Sequence, residues 1–191
     1  MNNKLKYVVG LIIAVVLITT VKEIMKKYLP QSQHLNSEKP WITWEYSGIK
    51  ITTPEKLNEL DENLPESAKS LISKMEGYLF ESKEIVIMIH YIKYSSFEVD
   101  YDLEKGLKQA VSNGVNLKGG TNLTFNIADT SDDNKKLALG TFQLGREIMA
   151  YKEMVYFNGK NEVGAIMIIG PLGDYTNQLI SKIISSIEYL F

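Results

Sequence analysis

The sequence predicts an α+β fold in which helices cover a mainly antiparallel β-sheet. From residue 41 onward, strand patterns joined by short polar turns dominate, and amphipathic helical patterns separate some of them. Hairpin-linked strands with interspersed helices are typical of this class. The strict alternation of strand and helix that a parallel Rossmann-like sheet requires does not occur in the sequence. The predicted order is β-β-α-β-α-β-β-β-β-α, preceded by an N-terminal hydrophobic helix.

The composition indicates one globular domain with a short appendage. The chain has 191 residues, of which 45% are hydrophobic and 23% are charged, and this is enough to bury a core. Residues 1–30 contain five lysines and a single acidic side chain, whereas the rest of the chain is acidic overall. Such a distribution indicates that only this N-terminal segment, which we call the leader, contacts anionic lipid. The body lacks the clustered basic residues that a phosphate backbone requires, so we expect no nucleic-acid binding.

Residues 7–21 form an uncharged apolar segment between Lys6 and Lys22. As a helix it spans roughly 22 Å, less than the roughly 30 Å of a bilayer core, but flanking lysines can snorkel. No small-residue cleavage pattern follows it. We therefore predict a signal-anchor or transmembrane helix over residues 1–27, which attaches the chain to a membrane. The alternative is a cleaved signal peptide and a soluble exported body.

The remaining chain divides into a linker and one domain. Residues 28–40 are polar, contain two prolines and are predicted to be the linker, so the single α+β domain spans residues 41–191. The body is expected on the periplasmic or extracellular face of a bacterial inner membrane. This side is the default, because lysines on both flanks of the apolar segment leave its orientation open.

The domain begins with a predicted hairpin. Residues 41–46 and 49–52 are rich in aromatic and β-branched side chains on either side of a Ser-Gly turn. A helix is predicted next, because Pro65 can occupy a first helical turn and apolar residues follow a 3.6-residue period. The apolar positions of this helix are Leu64, Ala68, Leu71, Ile72, Met75 and Leu79.

Two further elements complete the first half of the domain. Residues 84–94 are apolar on both faces, which predicts a central strand. Asp102 is placed to cap a second helix, which Asn113-Gly114 is predicted to end.

The second half predicts a strand-rich region closed by a helix. A half-exposed strand over residues 121–127 and a polar turn over residues 129–134 precede three sequential strands, at residues 136–144, 147–157 and 162–169. Asp174 is predicted to cap an amphipathic helix that continues to the last residues. Its predicted buried stripe contains Leu179, Ile180, Ile183, Ile184, Ile187 and Leu190.

Ile49 to Pro54 follows the pattern Ile-x-Ile-Thr-x-Pro, and the strand–strand–helix finish closes on Ser185-Ser186-Ile187. These two stretches resemble the Mog1/PsbP-like fold. The resemblance extends to the order of elements over residues 41–191. It implies an α/β/α sandwich and a non-catalytic binding or accessory module. The fold includes photosystem II subunits, a Ran-binding import factor and small bacterial exported proteins, but no photosystem or Ran contact residue matches a position here.

The sequence argues against most catalytic chemistries. It contains no cysteine, and its two histidines, His34 and His90, are isolated, so a zinc site is not expected. Phosphate-binding glycine motifs and the GxSxG motif do not occur. The acidic turn at residues 129–133 lacks the glycine and the spacing of an EF-hand. We therefore predict no catalytic residue, no cofactor and no metal.

A set of aromatic residues and the only arginine are the candidates for binding a partner or a ligand. Aromatic side chains can line a groove for a peptide or an apolar ligand, and the planar guanidinium of arginine can clamp a carboxylate or a phosphate. Packing in the core and a surface ion pair are the alternative explanations. The candidates are Trp41, Trp44, Tyr46, Tyr91, Arg146 and Tyr151.

These observations favour a non-catalytic, envelope-associated binding or accessory protein that engages a protein partner. One alternative is a hydrolase-type enzyme in which carboxylates such as Glu153 and Asp174 converge only in the fold. The other alternative is a carrier of a small apolar ligand. Its cavity would be lined by Met88, Tyr91, Met149 and Met154.

Overall fold

A computed structural model describes residues 40–60, 66–96, 101–117 and 119–191. The hydrophobic helix predicted over residues 1–27, and all but the last residue of the linker, lie outside the described residues. Among the helices within these ranges, none has both the length and the apolar character needed to cross a membrane.

Ten strands and three helices make up the described ranges. The strands are β1 (Ile42–Tyr46), β2 (Ile49–Thr53), β3 (Asn58–Leu60), β4 (Ile72–Glu81), β5 (Val86–Tyr94), β6 (Asn126–Asp129), β7 (Lys135–Leu144), β8 (Glu147–Phe157), β9 (Glu162–Pro171) and β10 (Glu188–Tyr189). The helices are α1 (Glu66–Lys69), α2 (Leu103–Leu117) and α3 (Asp174–Ile184).

The strands form two antiparallel sheets of different size. The large sheet has the order β3-β4-β5-β9-β8-β7-β6, and the small sheet has the order β1-β2-β10. Every strand pair in both sheets is antiparallel. The predicted α+β class with a mainly antiparallel sheet is therefore confirmed, as are the N-terminal hairpin and the three sequential strands β7, β8 and β9.

Each face of the large sheet carries its own core. Helix α2 covers one face, which we call the α2 face, and packs against β7 and β8. Its Leu107 and Val111 are buried in one core with Ile92 and Val163. Helix α3 and the small sheet cover the opposite face, the α3 face, where Ile180 is completely buried. Strand β5 lies between β4 and β9 and is buried on both faces, as its continuous apolar run predicts.

The helix predicted over residues 64–79 is wrong. Within the part of this stretch that the structure describes, residues 66–79, the helix is limited to Glu66–Lys69, and Ile72–Glu81 forms β4, which pairs with β5 along its length. Strand β5 is interior, so its backbone groups on this side need a partner strand. Glycine at position 77 disfavours a helix, and alternation places Leu79 on the α2 face and Phe80 on the α3 face. Pairing with β5 therefore outweighs the local helical period.

The C-terminal helix also differs from its prediction. It ends at Ile184, and the following turn leads into β10, which pairs with β2, so Leu190 is half exposed and does not extend a buried helical stripe. The predicted cap is wrong as well. Asp174 lies inside the first turn, Gly173 occupies the N-cap position, and no side-chain hydrogen bond caps the helix.

Helix α2 is capped as predicted but is longer. The Lys105 N–H donates to Asp102 Oδ1 at 2.9 Å, which is an N-cap hydrogen bond. The helix continues past the predicted stop at Asn113-Gly114 to Leu117. In the predicted strand over residues 121–127, only Asn126 and Ile127 belong to β6, and Thr121 makes an isolated bridge.

Candidate functional site

The six residues predicted to bind a partner do not share one surface. Trp41 and Trp44 are half-buried on or beside β1, and Arg146 is exposed in the turn between β7 and β8. The remaining three, Tyr46, Tyr91 and Tyr151, are buried.

The three buried tyrosines bond within the domain. Tyr46 Oη accepts a hydrogen bond from the Leu57 N–H at 2.7 Å, and Tyr151 Oη donates to the Thr124 carbonyl at 3.0 Å. Each hydroxyl thereby fixes a segment that lies outside the strand carrying it. Core packing is the role that this geometry supports for these tyrosines, because a buried and bonded side chain offers no surface to a partner.

Tyr91 belongs to a polar cluster at the edge of the α3 face. Its hydroxyl donates to Glu162 Oε1 at 2.6 Å, and Asn158 Nδ2 donates to Glu162 Oε2 at 2.7 Å. Lys93 Nζ lies 3.0 Å from Glu162 Oε1. Partial burial by itself would raise the pKa of Glu162, but the hydrogen bonds from Tyr91 and Lys93 outweigh it and hold that pKa below its usual value.

The two tryptophans contact lysines of neighbouring elements. Lys182 Nζ of α3 lies 3.7 Å from the centre of the Trp41 ring, and Lys56 Nζ lies 5.9 Å from the Trp44 ring. These are cation–π distances, and they connect the region of β1 to α3 and to the segment after β2. Trp44 Nε1 is buried and has no hydrogen-bond partner among the described residues.

An exposed apolar patch lies at the end of the sheet near Arg146. It consists of Ile148, Leu172 and Tyr175, which are 54%, 50% and 51% exposed, and together with Arg146 we call it the turn patch. The Leu172 N–H donates to the Ile148 carbonyl at 2.8 Å, so these two residues are neighbours across β8 and the end of β9. Tyr175 follows in the first turn of α3.

Sequence patterns single out only Arg146 of the turn patch. Ile148, Leu172 and Tyr175 are single apolar residues beside turns, and they share no period along the chain. Only the pairing of β8 with β9 brings Ile148 to Leu172. A pairing prediction for these two strands would have been the signal needed to find the patch.

A second polar feature is Glu153, buried on the α2 face. It is completely buried and lies opposite Met167 of β9 and Ala138 of β7. Neither carboxyl oxygen has a hydrogen-bond partner among the described residues. Burial raises the pKa of Glu153 from 4.5 to about 8, so the carboxyl is mainly protonated at neutral pH.

The residues named for the two alternative functions are not brought together. Glu153 lies on the α2 face, whereas Asp174 is exposed at the start of α3 on the opposite side of the sheet. The residues predicted to line the cavity of a carrier are likewise separated onto the two faces of the sheet, because alternate residues of a strand point to opposite faces. Met88 and Met149 pack on the α2 face, and Tyr91 and Met154 lie on the α3 face. Among the described residues, no three acidic or histidine side chains are grouped to hold a metal.

The described architecture was compared with known proteins. No protein-family model matches this chain. A solved structure of a mutant of the protein Mog1 superposes with a TM-score of 0.50 at 13% identity, covering 79% of this chain and 96% of the Mog1 chain. This chain has a Mog1/PsbP-like fold. A structure of LpqN, a protein involved in cell envelope biogenesis of Mycobacterium tuberculosis, matches with a TM-score of 0.39 at 13% identity, covering 82% of this chain and 85% of LpqN.

Proposed function

We propose that this chain is a non-catalytic accessory protein of the cell envelope that binds a protein partner through the turn patch. The observation that carries the proposal is the shared exposure of Ile148, Leu172 and Tyr175 at one end of the sheet. Single exposed apolar residues are common on proteins, but several that the fold brings to one end of a sheet beside a charge are typical of an interaction site.

The chemistry of the patch indicates what kind of partner fits it. Tyrosine and arginine are enriched among the residues that contribute most to binding at protein interfaces. Tyr175 and the aliphatic pair Ile148 and Leu172 would bury an apolar side chain of the partner. Arg146 is exposed and can form a bidentate contact with a partner carboxylate. We therefore infer a partner surface with an apolar side chain next to an acidic residue.

The envelope location rests on the leader. Residues 7–21 are apolar and flanked by lysines, which supports attachment to a membrane or export across it. The extracytoplasmic side is the default for the body, because lysines on both flanks leave the orientation of the segment open. Deleting residues 1–27 is expected to move the body from the membrane pellet to the soluble fraction of lysed cells. A full-length chain that already fractionates as soluble and uncleaved would contradict membrane attachment.

A non-catalytic role is supported by the separation of the candidate acids. An acid–base pair needs both groups at one substrate, but Glu153 is buried under α2 and Asp174 is exposed at the other side of the sheet. A partner-binding surface requires no such convergence.

Photo-crosslinking in cells tests the turn patch. The aromatic photo-crosslinker p-benzoylphenylalanine placed at position 175 is expected to give one defined crosslinked species. The same group at position 190 is the matched control, because Leu190 is also 50% exposed but lies away from the patch. Adding Leu172→Glu should abolish the species from position 175. Equal crosslinking from both positions, or none from position 175, would contradict the proposal.

A further inference from the structure

Strand β1 forms an outer edge of the small sheet. It pairs with β2 on one side only, and within the described ranges no strand pairs with its other side. Its five residues make it longer than the other edge strands β3, β6 and β10, which have three, four and two residues. Edge strands are commonly protected by proline, by charged side chains or by a bulge. Strand β1 has no proline and no bulge between its first and last residue, and its single charged side chain is Glu45.

The pairing of β1 with β2 fixes which of its backbone groups point outward. The Thr52 N–H donates to Ser186 Oγ, so Thr52 directs its backbone groups away from β1. Thr43 lies opposite Thr52, and in an antiparallel ladder such a pair exchanges no hydrogen bonds. The N–H and C=O groups of Thr43, and by alternation those of Glu45, therefore point to the open edge.

These outward groups are arranged symmetrically about Trp44, the central residue of β1. We propose that β1 pairs antiparallel with β1 of a second copy of this chain, about a twofold axis at Trp44. Thr43 of each copy then faces Glu45 of the other, and each such pair exchanges two backbone hydrogen bonds. Trp44 faces Trp44 of the second copy at the close, non-hydrogen-bonded position between them.

The composition of the edge suits pairing with itself. Antiparallel twofold pairing requires a surface that is complementary to its own copy. The edge and its flanks carry both signs of charge, with exposed Glu45 and Glu55 and exposed Lys56 and Lys182. Thr43 opposite Glu45 avoids placing two like charges together. An aromatic pair at the axis adds a favourable cross-strand contact. The contact is small, so the dimer should be reversible and depend on concentration.

Disulfide trapping tests the register directly, because the chain has no cysteine of its own. Full-length Thr43→Cys and Glu45→Cys proteins are purified separately in detergent and then mixed under mild oxidation. Mixing should give crosslinked dimer at least several-fold faster than either variant alone, because residue 43 faces residue 45 and not itself. Ser131→Cys, exposed in a distant turn, measures random collision. Mixed variants that crosslink no faster than Ser131→Cys would overturn the proposal.

A second pair of variants separates edge pairing from association through the leader. Thr43→Pro removes an outward N–H and leaves the ladder with β2 intact. Thr43→Val keeps that N–H, and both variants lose the 2.9 Å contact between Thr43 Oγ1 and Thr52 Oγ1. In sedimentation equilibrium, Thr43→Pro should lose the dimer and Thr43→Val should keep it. A dimer of equal strength in both, or a wild-type monomer over the whole concentration range, would overturn the proposal. If Thr43→Pro fails to fold, the mixing experiment decides.

Discussion

Glu153 lies directly opposite Met167 in the ladder of β8 and β9, so a carboxyl occupies a core position between apolar side chains. Its two oxygens have no hydrogen-bond partner in the described part of the chain. An unsatisfied buried polar group costs on the order of 1–3 kcal/mol. The domain therefore keeps Glu153 at an energetic cost, and that cost depends on its protonation.

The stability of the wild-type domain should fall as the pH rises from about 4.5 to about 8. Burial raises the pKa of Glu153 to about 8 in the folded state, against an ordinary value of 4.5. Between these values the folded state holds the proton more tightly than the unfolded state, so unfolding releases a proton and becomes easier as the pH rises. The full difference corresponds to up to about 5 kcal/mol.

Glu153→Gln should remove this part of the pH dependence. In urea unfolding, the variant is expected to match the wild type near pH 5 and to exceed it by several kcal/mol at pH 9, because glutamine cannot ionise. Glu147→Gln, at the exposed first residue of β8, serves as the control and should follow the wild type at both values. Parallel pH curves for wild type and Glu153→Gln would contradict the interpretation.

Tyr91→Phe should destabilise the domain by about 1.5–3 kcal/mol, since it removes a hydrogen bond to the charged carboxylate of Glu162. The effect should shrink at acidic pH. The pKa of Glu162 is held below its usual value, so its stabilising contribution is lost as the pH falls through that lowered pKa. Chemical denaturation at pH 7 measures the destabilisation, and the same experiment at pH 3 measures how far it decreases. Tyr175→Phe, on an exposed ring, is the control and should change little.

Gly140→Ala should destabilise the domain by at least about 1–3 kcal/mol through overpacking. A Cβ at this position would lie 2.1 Å from the Thr124 carbonyl oxygen, which is the same oxygen that accepts the Tyr151 hydroxyl. Backbone atoms cannot move aside as the end of a flexible side chain can. Gly173→Ala is the control because a Cβ there meets nothing within 4 Å. Thermal unfolding compares the two variants, and equal melting temperatures would show that the segment around Thr124 yields easily.

The two acidic helix starts should respond differently to alanine. Asp102→Ala removes the cap hydrogen bond to Lys105 and should cost about 1 kcal/mol. Asp174→Ala removes no side-chain cap hydrogen bond and should cost only a few tenths of a kcal/mol through the helix dipole. Urea unfolding of both variants measures this difference. A larger loss from Asp174→Ala would mean that its carboxylate has a structural role that the cap geometry does not show.

Local patterns were sufficient for the elements whose partners are near in sequence. The hairpin of β1 and β2 and the sequence of β7, β8 and β9 followed from alternation and turn residues, since hairpin neighbours pair with each other. The cap at Asp102 is equally local. These features need no knowledge of the rest of the chain.

The features that the sequence did not predict depend on contacts between distant parts of the chain. Ile72–Glu81 shows a helical period but becomes β4 because β5 needs a neighbour, and the turn patch exists only because β9 places Leu172 beside Ile148. The burial of Glu153 is also non-local, because it depends on α2 lying over β8. Of the six predicted binding residues, Arg146 alone belongs to the turn patch.

The pairing of β10 with β2 has a consequence for how the domain assembles. Glu188 of β10 pairs with Lys50 of β2, and these two residues lie near opposite ends of the described chain. Forming the pair closes a very large loop, which costs conformational entropy. Contacts of such high sequence separation are associated with slow folding. The β1–β2 hairpin can form early because its strands are adjacent in sequence, but its sheet is completed only when β10 reaches β2. Until then, the backbone N–H and C=O groups of β2 that pair with β10 are exposed and can pair with another chain. A chaperone that shields them should raise the yield of folded protein.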